Sequence, residues 1–395
     1  MSHTTGVLII VENLPLPFDR RVWQEACALR DAGYRVSIVC PRAPGYDEPR
    51  VDIDEIAIYR HPLPVEADSA AGYALEYGAA LFWQLVLSLR IACTRGFRVI
   101  HACNPPDTIF IVAAFWRLMG KRFLFDHHDL CPELYEAKFG RRDRFYRLMR
   151  TLERWTFRMA RVSLATNDSF RRIAIERGGM APEDVFVVRS GPNLDRIRAM
   201  PADKALRRGR RHLVGYVGVM GRQEGLDTLL EIIADIVHRR GRDDIQFCLV
   251  GFGTELETLR RQAIDLDIAA HVDFPGRLEG EALMTVLSTA DVCVSPDPLN
   301  AMNDHSTMNK IMEYMALGKP SVQFDLTEGR FSAREASLYA RPGDTADFAD
   351  KLLQLIDDPD LRHAMGAYGQ QRVRDTLAWR FEVPKLLAAY ERVLE

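Results

Sequence analysis

Three short clusters in this 395-residue chain hold side chains able to do chemistry. The first is Thr307-Met308-Asn309-Lys310-Ile311-Met312-Glu313-Tyr314-Met315-Ala316-Leu317-Gly318-Lys319-Pro320. Asn309 and Glu313 stand four apart and share one face of a helix. A carboxylate in so apolar a helix is costly to bury unpaired, so Glu313 is expected in a cleft or against a donor. Lys310 in the first turn opposes the helix dipole and is odd for stability alone; with the free N–H groups of the helix start it suits an anion. A helix start and a lysine for phosphate, with a carboxylate one turn on for sugar hydroxyls, suggest a nucleotide-sugar site. The second cluster, Asp126-His127-His128-Asp129, lies just past an apolar strand, where open α/β sheets bind ligands. One histidine there could simply bridge strand and loop. Zinc is a further reading, but no Cys/His cluster with metal-like spacing supports it. The third is the loop Gly218-Val219-Met220-Gly221-Arg222-Gln223-Glu224-Gly225, whose glycines let backbone approach a phosphate; plain turns are the ordinary alternative.

The elements around these clusters alternate strand and helix. Apolar runs at 7–11, 35–40, 98–102, 122–125, 162–166 and 185–188 suit a first parallel sheet. Arg189-Ser190-Gly191-Pro192-Asn193 breaks the pattern, and Leu213 restarts it. The central cluster sits between the runs 291–295 and 321–324, giving one βαβ unit. Ser306 or Thr307 is expected to cap its helix, Gly318 and Pro320 to end it, and Met308, Ile311 and Met315 to face the core. Gly251-Phe252-Gly253 reads as a tight turn after another strand. Asp19 opens the helix that ends at Gly33, as an N-cap or as a substrate contact. Of Arg20 and Arg21, one is expected to reach a ligand. Arg147, Arg150, Arg154, Arg158 and Arg161 recur at three and four, a basic helical stripe suited to an anionic membrane surface or simply to solvent. Residues 78–91 are apolar but fall short of a membrane span, so a buried or interfacial helix is expected. A net charge of −3 implies no general affinity for nucleic acid. Seven scattered cysteines read as reduced core thiols of a cytoplasmic protein, and Met1 to Gly6 carry no signal-peptide pattern.

The pattern N-D-x-S-T-M-N-K-I-x-E-Y-M-A-x-G-K-P resembles the donor-site helix of glycosyltransferase family 4, retaining enzymes of GT-B fold, in a branch associated with bacterial surface polysaccharides. The resemblance implies an α/β chain of two Rossmann-like domains facing a central cleft. Residues 1–192 would bind acceptor, 193–378 the nucleotide sugar, and 379–395 would form a helix crossing back to the first domain. Members usually carry two glutamates eight apart. Glu313 matches the second, while His305 stands at the first, beside Asp304. The resemblance implies ribose contacts for Glu313 and a diphosphate site of Lys310, Arg222, Gly221, Gly251 and Gly253. It further implies sugar or phosphate contacts for Asp304, His305, Ser306, Thr307, Met308 and Asn309, and a rim position beside the base for Arg277. His128 of the His128-Asp129 pair matches the family's histidine near the transferred sugar, and Asp19, Arg20 and Arg21 fall on the acceptor side. The family's two phosphate-loop cations are absent, Val219 and Glu224 standing in their places. The implied substrates are a UDP- or GDP-linked sugar and a glycan or lipid-linked acceptor, with no metal required. The implied location is the cytoplasm, peripheral to the inner face of the plasma membrane. A nucleotide-sugar epimerase of the same fold and a non-catalytic partner subunit are the competing readings.

Overall fold

The computed structural model describes residues 5–62 and 70–395; Met1 to Thr4, part of the N-terminal stretch read above, lie outside them. The chain divides into two compact units, one of residues 1–190 with 382–395 and one of residues 191–381. Unit 1 holds strands β1 (Gly6–Ile10), β2 (Arg35–Pro41), β3 (Arg50–Ile53), β4 (Ile56–His61), β5 (Val99–Cys103), β6 (Arg122–His127), β7 (Val162–Ala165) and β8 (Val185–Val187). They line up as β3-β4-β2-β1-β5-β6-β7-β8. All pair in parallel except the β3–β4 hairpin. Every residue of β1 is buried, as a strand covered by helices on both faces must be.

Unit 2 holds β9 (His212–Val219), β10 (Ile245–Phe252), β11 (Val272–Gly276), β12 (Val292–Ser295), β13 (Ser321–Phe324) and β14 (Ser337–Ala340), ordered β11-β10-β9-β12-β13-β14. That is the order of a doubly wound nucleotide-binding sheet, and unit 1 repeats it with the hairpin strand β3 added at one edge and β8 at the other. In such sheets the strand order reverses at one point, here between β9 and β12 in unit 2 and between β1 and β5 in unit 1. Crevices at the carboxyl ends of those strands are where ligands bind.

The last helix, Val383–Leu394, buries Leu386, Ala389, Tyr390 and Val393, an i, i+3, i+4, i+7 stripe that packs on β6, β7 and β8 of unit 1. Among the described residues no helix is long and apolar enough to cross a membrane, and no cysteine is paired. Five of the seven cysteines are buried.

Candidate functional site

In unit 2, β9 and β12 pair only at Val214–Val292 and Gly215–Cys293 before they part. Past that point the Val217 N–H and the Val294 carbonyl need other partners. The Tyr314 hydroxyl supplies both, accepting from Val217 N at 3.0 Å and donating to Val294 O at 3.4 Å. Tyr314 belongs to the helix Asn309–Ala316, which also buries Lys310, Ile311, Met312 and Met315. Ile311 and Met315 lie in the core and Met308 packs partly buried against them. Asn309 is exposed and Glu313 half-buried, so the face they share is the one that leaves the core.

The capping expectation fails. Met308 occupies the N-cap, and no cap side chain accepts a bond from the first turn. Ser306 instead ends a short helix, Ala301–His305, and its hydroxyl bonds Met302 O at 2.7 Å. Asn300 caps that short helix by accepting from Asn303 N. Asn303 in turn donates to Gln223 O and Pro298 O, each at 2.9 Å, tying this segment to the glycine-rich loop. Asp304 holds the start of helix Thr327–Ala333 through Thr327 N at 2.8 Å and Thr327 Oγ1 at 3.1 Å. His305 and Thr307 are half-buried between these segments.

Lys310 is 8% exposed, with its ammonium 3.0 Å from Asp297 and 3.1 Å from Glu224, over the Tyr216 ring. Burial works against the ammonium, but Asp297, Tyr216 and Glu224 outweigh it and hold its pKa well above the usual lysine value. One cation thus serves two carboxylates. Burial pushes Glu224 up despite Lys310, and the charge of Asp297 adds to the rise. The glutamate that stands where a loop cation was expected therefore anchors the helix lysine. Arg222 is 79% exposed and reaches Glu255 at 3.4 Å. Gly225 has φ +69°, and a Cβ there would meet Pro296 O at 2.3 Å. At Gly251 a Cβ would meet Gly218 O at 2.0 Å, and at Gly253 it would meet Met220 O at 2.4 Å, so close strand packing already requires glycine at both. Arg277 lies over the Phe252 ring and pairs with Glu279 at 2.6 Å.

Unit 1 assembles a second constellation at the ends of β5 and β6. Arg21 is buried and bidentate on Asp126, at 2.8 and 3.2 Å, and donates to Val188 O at 2.7 Å. Asp19 is the N-cap of helix Arg20–Asp31, and Arg20 is exposed. His128 Nε2 stands 2.5 Å from Asp126 Oδ2. His101 reaches the same oxygen at 3.4 Å, and its other nitrogen meets Tyr390 Oη at 2.9 Å. Burial raises Asp126, but Arg21 and His128 outweigh it and hold the carboxyl well below the usual range. Burial pushes the neighbouring Glu25 well up despite Arg21, so the two acids are driven in opposite directions.

Asn104, just past the end of β5, clamps the histidine loop. Its Oδ1 accepts from His128 N at 2.7 Å and Asp129 N at 3.2 Å, and its Nδ2 donates to Asp129 O at 2.7 Å. His127, by contrast, faces inward, among Phe125, Phe157 and Phe170. Glu25, Asp126 and His128 are close enough to share an ion, as are His101, Cys103 and Asp126. Arg21 already covers both oxygens of Asp126, the residue common to the two trios, so this donor set suits a guanidinium better than a metal.

The helix Arg144–Met159 carries the basic stripe, with Arg147, Arg150, Arg154 and Arg158 exposed. Arg161 leaves the stripe to pair with Asp184 at 3.2 Å. The inward face is Tyr146, Glu153, Thr156 and Phe157, which leaves Phe145, Leu148 and Trp155 in solvent. Glu153 takes an inward place because Arg177 and His127 compensate it, outweighing burial and lowering its pKa.

Comparison with known proteins agrees with these two units. Residues 19–191 match a family model described as glycosyl transferase 4-like domain, and residues 211–358 match one described as glycosyl transferases group 1. A phosphatidyl-myo-inositol mannosyltransferase of Mycobacterium leprae is 28% identical over 58% of this chain, and the match spans 59% of that relative. A 2-deoxystreptamine glucosyltransferase of Streptomyces kanamyceticus is 23% identical over 93% of this chain and 96% of its own. Among solved structures, sucrose-phosphate synthase from Thermosynechococcus elongatus superposes with a TM-score of 0.79 at 19% identity, covering 99% of both chains. HepE of Anabaena in complex with UDP-glucose superposes with a TM-score of 0.74 at 14% identity, covering 98% of this chain and 99% of its own.

Proposed function

Since the chain belongs to the 4-like, group 1 glycosyl transferases and has the GT-B fold, we propose that it moves a sugar from a UDP- or GDP-linked donor to a glycan or lipid-linked acceptor, with retained anomeric configuration. The observation that carries this reading is the helix Asn309–Ala316. Its N-terminus, where Met308 is the N-cap, begins beside the reversal point of the unit 2 sheet, and Asn309 and Glu313 face out of the core. The dipole and N–H groups of such a helix start favour a diphosphate. HepE was solved in complex with UDP-glucose and several curated relatives are named GDP-mannose-dependent, which supports a nucleotide-sugar donor.

In this scheme Glu313 accepts bonds from the ribose hydroxyls. Arg222 supplies positive charge near the diphosphate, Lys310 holds the helix start against Asp297 and Glu224 beside it, and Gly221 lets backbone approach the diphosphate. Arg277 borders the base. The segment Ser306 to Asn309 meets sugar and phosphate, with Asp304 and His305 fixing its approach. His128 meets a hydroxyl of the sugar or the acceptor, and Arg20, exposed at the start of its helix, meets the acceptor. The acceptor oxygen bonds to the anomeric carbon on the face from which the diphosphate leaves. The bond to the diphosphate breaks, and a diphosphate oxygen takes the acceptor's proton. The protein's share is positioning and charge stabilisation, with no metal in the scheme. The reaction takes place at the inner face of a membrane, where the exposed arginines of helix Arg144–Met159 meet anionic headgroups.

Isothermal titration with UDP and GDP tests the ribose role. The wild type should bind one of them, and Glu313→Ala should weaken that binding at least about tenfold, the loss of a hydrogen bond to a charged group, with an unchanged melting temperature. Equal affinity of the two proteins would remove Glu313 from the site.

A further inference from the structure

We propose that Asp126 fixes His128 in the tautomer protonated at Nε2, so that Nδ1 meets the substrate as a hydrogen-bond acceptor, and that His101 and Tyr390 hold Asp126 in place. The substrate-facing half of this inference rests on the transferase reading above; the tautomer itself does not.

The geometry leaves little choice. His128 Nε2 stands 2.5 Å from Asp126 Oδ2 and 2.9 Å from Arg21 Nε. One nitrogen cannot donate to the first and accept from the second at the same time. Were Nε2 unprotonated, its lone pair would face those of an ionised carboxylate at this short distance. Arg21 meanwhile has Asp126 and Val188 O to receive its protons. Nε2 therefore donates to Asp126. In the neutral ring a proton on Nε2 leaves Nδ1 with the lone pair. His128 is 14% exposed, and Asn104 fixes its backbone N–H at 2.7 Å, so ring and main chain are both held. In this state Nδ1 accepts from a hydroxyl; it does not donate to a phosphate oxygen.

Behind Asp126 the directions are equally fixed. The Tyr390 phenol, raised well above its usual pKa by burial, keeps its proton and donates to His101 Nδ1. His101 is buried, which lowers its pKa and keeps it neutral, so its one proton sits on Nε2 and points at Asp126 Oδ2. Tyr390 stands on the helix Val383–Leu394, while Asp126 ends β6. A helix from the far end of the chain thus braces the carboxylate that orients a histidine near its middle. Asp126, His101 and Tyr390 are positioning residues; His128 is the group that touches substrate.

The test is ¹⁵N NMR of histidine-labelled full-length protein, with His128→Gln used to assign the signal. His128 should show the Nε2–H pattern in the wild type and lose it in Asp126→Asn. An Nδ1–H pattern in the wild type, or one unmoved in Asp126→Asn, would overturn the proposal. With an active donor, Asp126→Asn should lower kcat at least about tenfold while the donor KM stays within about twofold, a split that separates positioning at His128 from donor binding. Tyr390→Phe should shift His101 away from its single tautomer and lower kcat less; an unmoved His101 signal would remove the outer link. A wild type that turns nothing over yet keeps the Nε2–H signature would sink the transferase reading and leave the tautomer standing.

Discussion

Lys310 shows how a residue marked by its chemistry can serve the structure. Its ammonium lies between Asp297 and Glu224, and all three groups are largely removed from water. Breaking a buried ion pair by deleting one partner leaves an uncompensated charge and costs about 3–5 kcal/mol. Lys310→Met should destabilise the protein by that order, read as a lower urea midpoint, and adding Glu224→Gln should recover part of it. A Lys310→Met protein as stable as the wild type would show that the two acids relax to solvent and that the triad contributes nothing. The pairing also explains the odd placement of a lysine in the first turn of a helix. Two carboxylates from neighbouring segments outweigh the unfavourable dipole.

At the scale of elements, the reversal point of the unit 2 sheet depends on Tyr314. Where β9 and β12 part, its hydroxyl takes the two main-chain groups that the ladder abandons. Tyr314→Phe keeps the ring but leaves a buried N–H and a buried carbonyl unsatisfied, a loss of about 1–3 kcal/mol. A melting temperature unchanged by Tyr314→Phe would mean that the strands close by another route. The elements were largely legible in the sequence because continuous apolar runs such as Val7 to Val11 and Leu213 to Val217, bounded by loop residues, admit few other readings. The β3–β4 hairpin was not, since Arg50–Ile53 is short and its residues alternate between exposed and half-buried. Helix Ala301–His305 was hidden behind two prolines, Pro296 and Pro298, and an asparagine cap, and Met308 rather than Ser306 or Thr307 is the N-cap of the next helix. The histidine pair was visible as a pair, yet nothing local says which ring turns inward. That is decided by Arg21, 105 residues from Asp126, and by Tyr390, 289 residues from His101. The sequence pattern marked Glu313 and Lys310, whereas the partners of Lys310 were invisible because Asp297 and Glu224 come from separate loops.

For the whole molecule, helices Ala70–Thr94, Phe110–Leu118 and Arg144–Met159 of unit 1 are neighbours, joined by the Trp116–Ser88 hydrogen bond at 2.9 Å and the Phe110–Trp155 ring contact. Between them they expose Phe82, Leu89, Ile111, Leu118, Phe145, Leu148 and Trp155 beside the arginine stripe. Each cation near an anionic surface contributes about 1 kcal/mol, so replacing Arg147, Arg150 and Arg154 by Gln should weaken binding to phosphatidylserine vesicles about a hundredfold, and high salt should release the wild type. No sedimentation with such vesicles at any salt would end the docking proposal. The transfer itself is tested most directly by proton NMR of the sugar released or passed on when the protein is given α-linked UDP and GDP sugars with a polyprenyl-linked glycan. We predict a new glycoside whose anomeric coupling matches that of the donor, formed only with acceptor present. A glycoside of opposite configuration, or a donor sugar changed in stereochemistry without acceptor, would contradict the account.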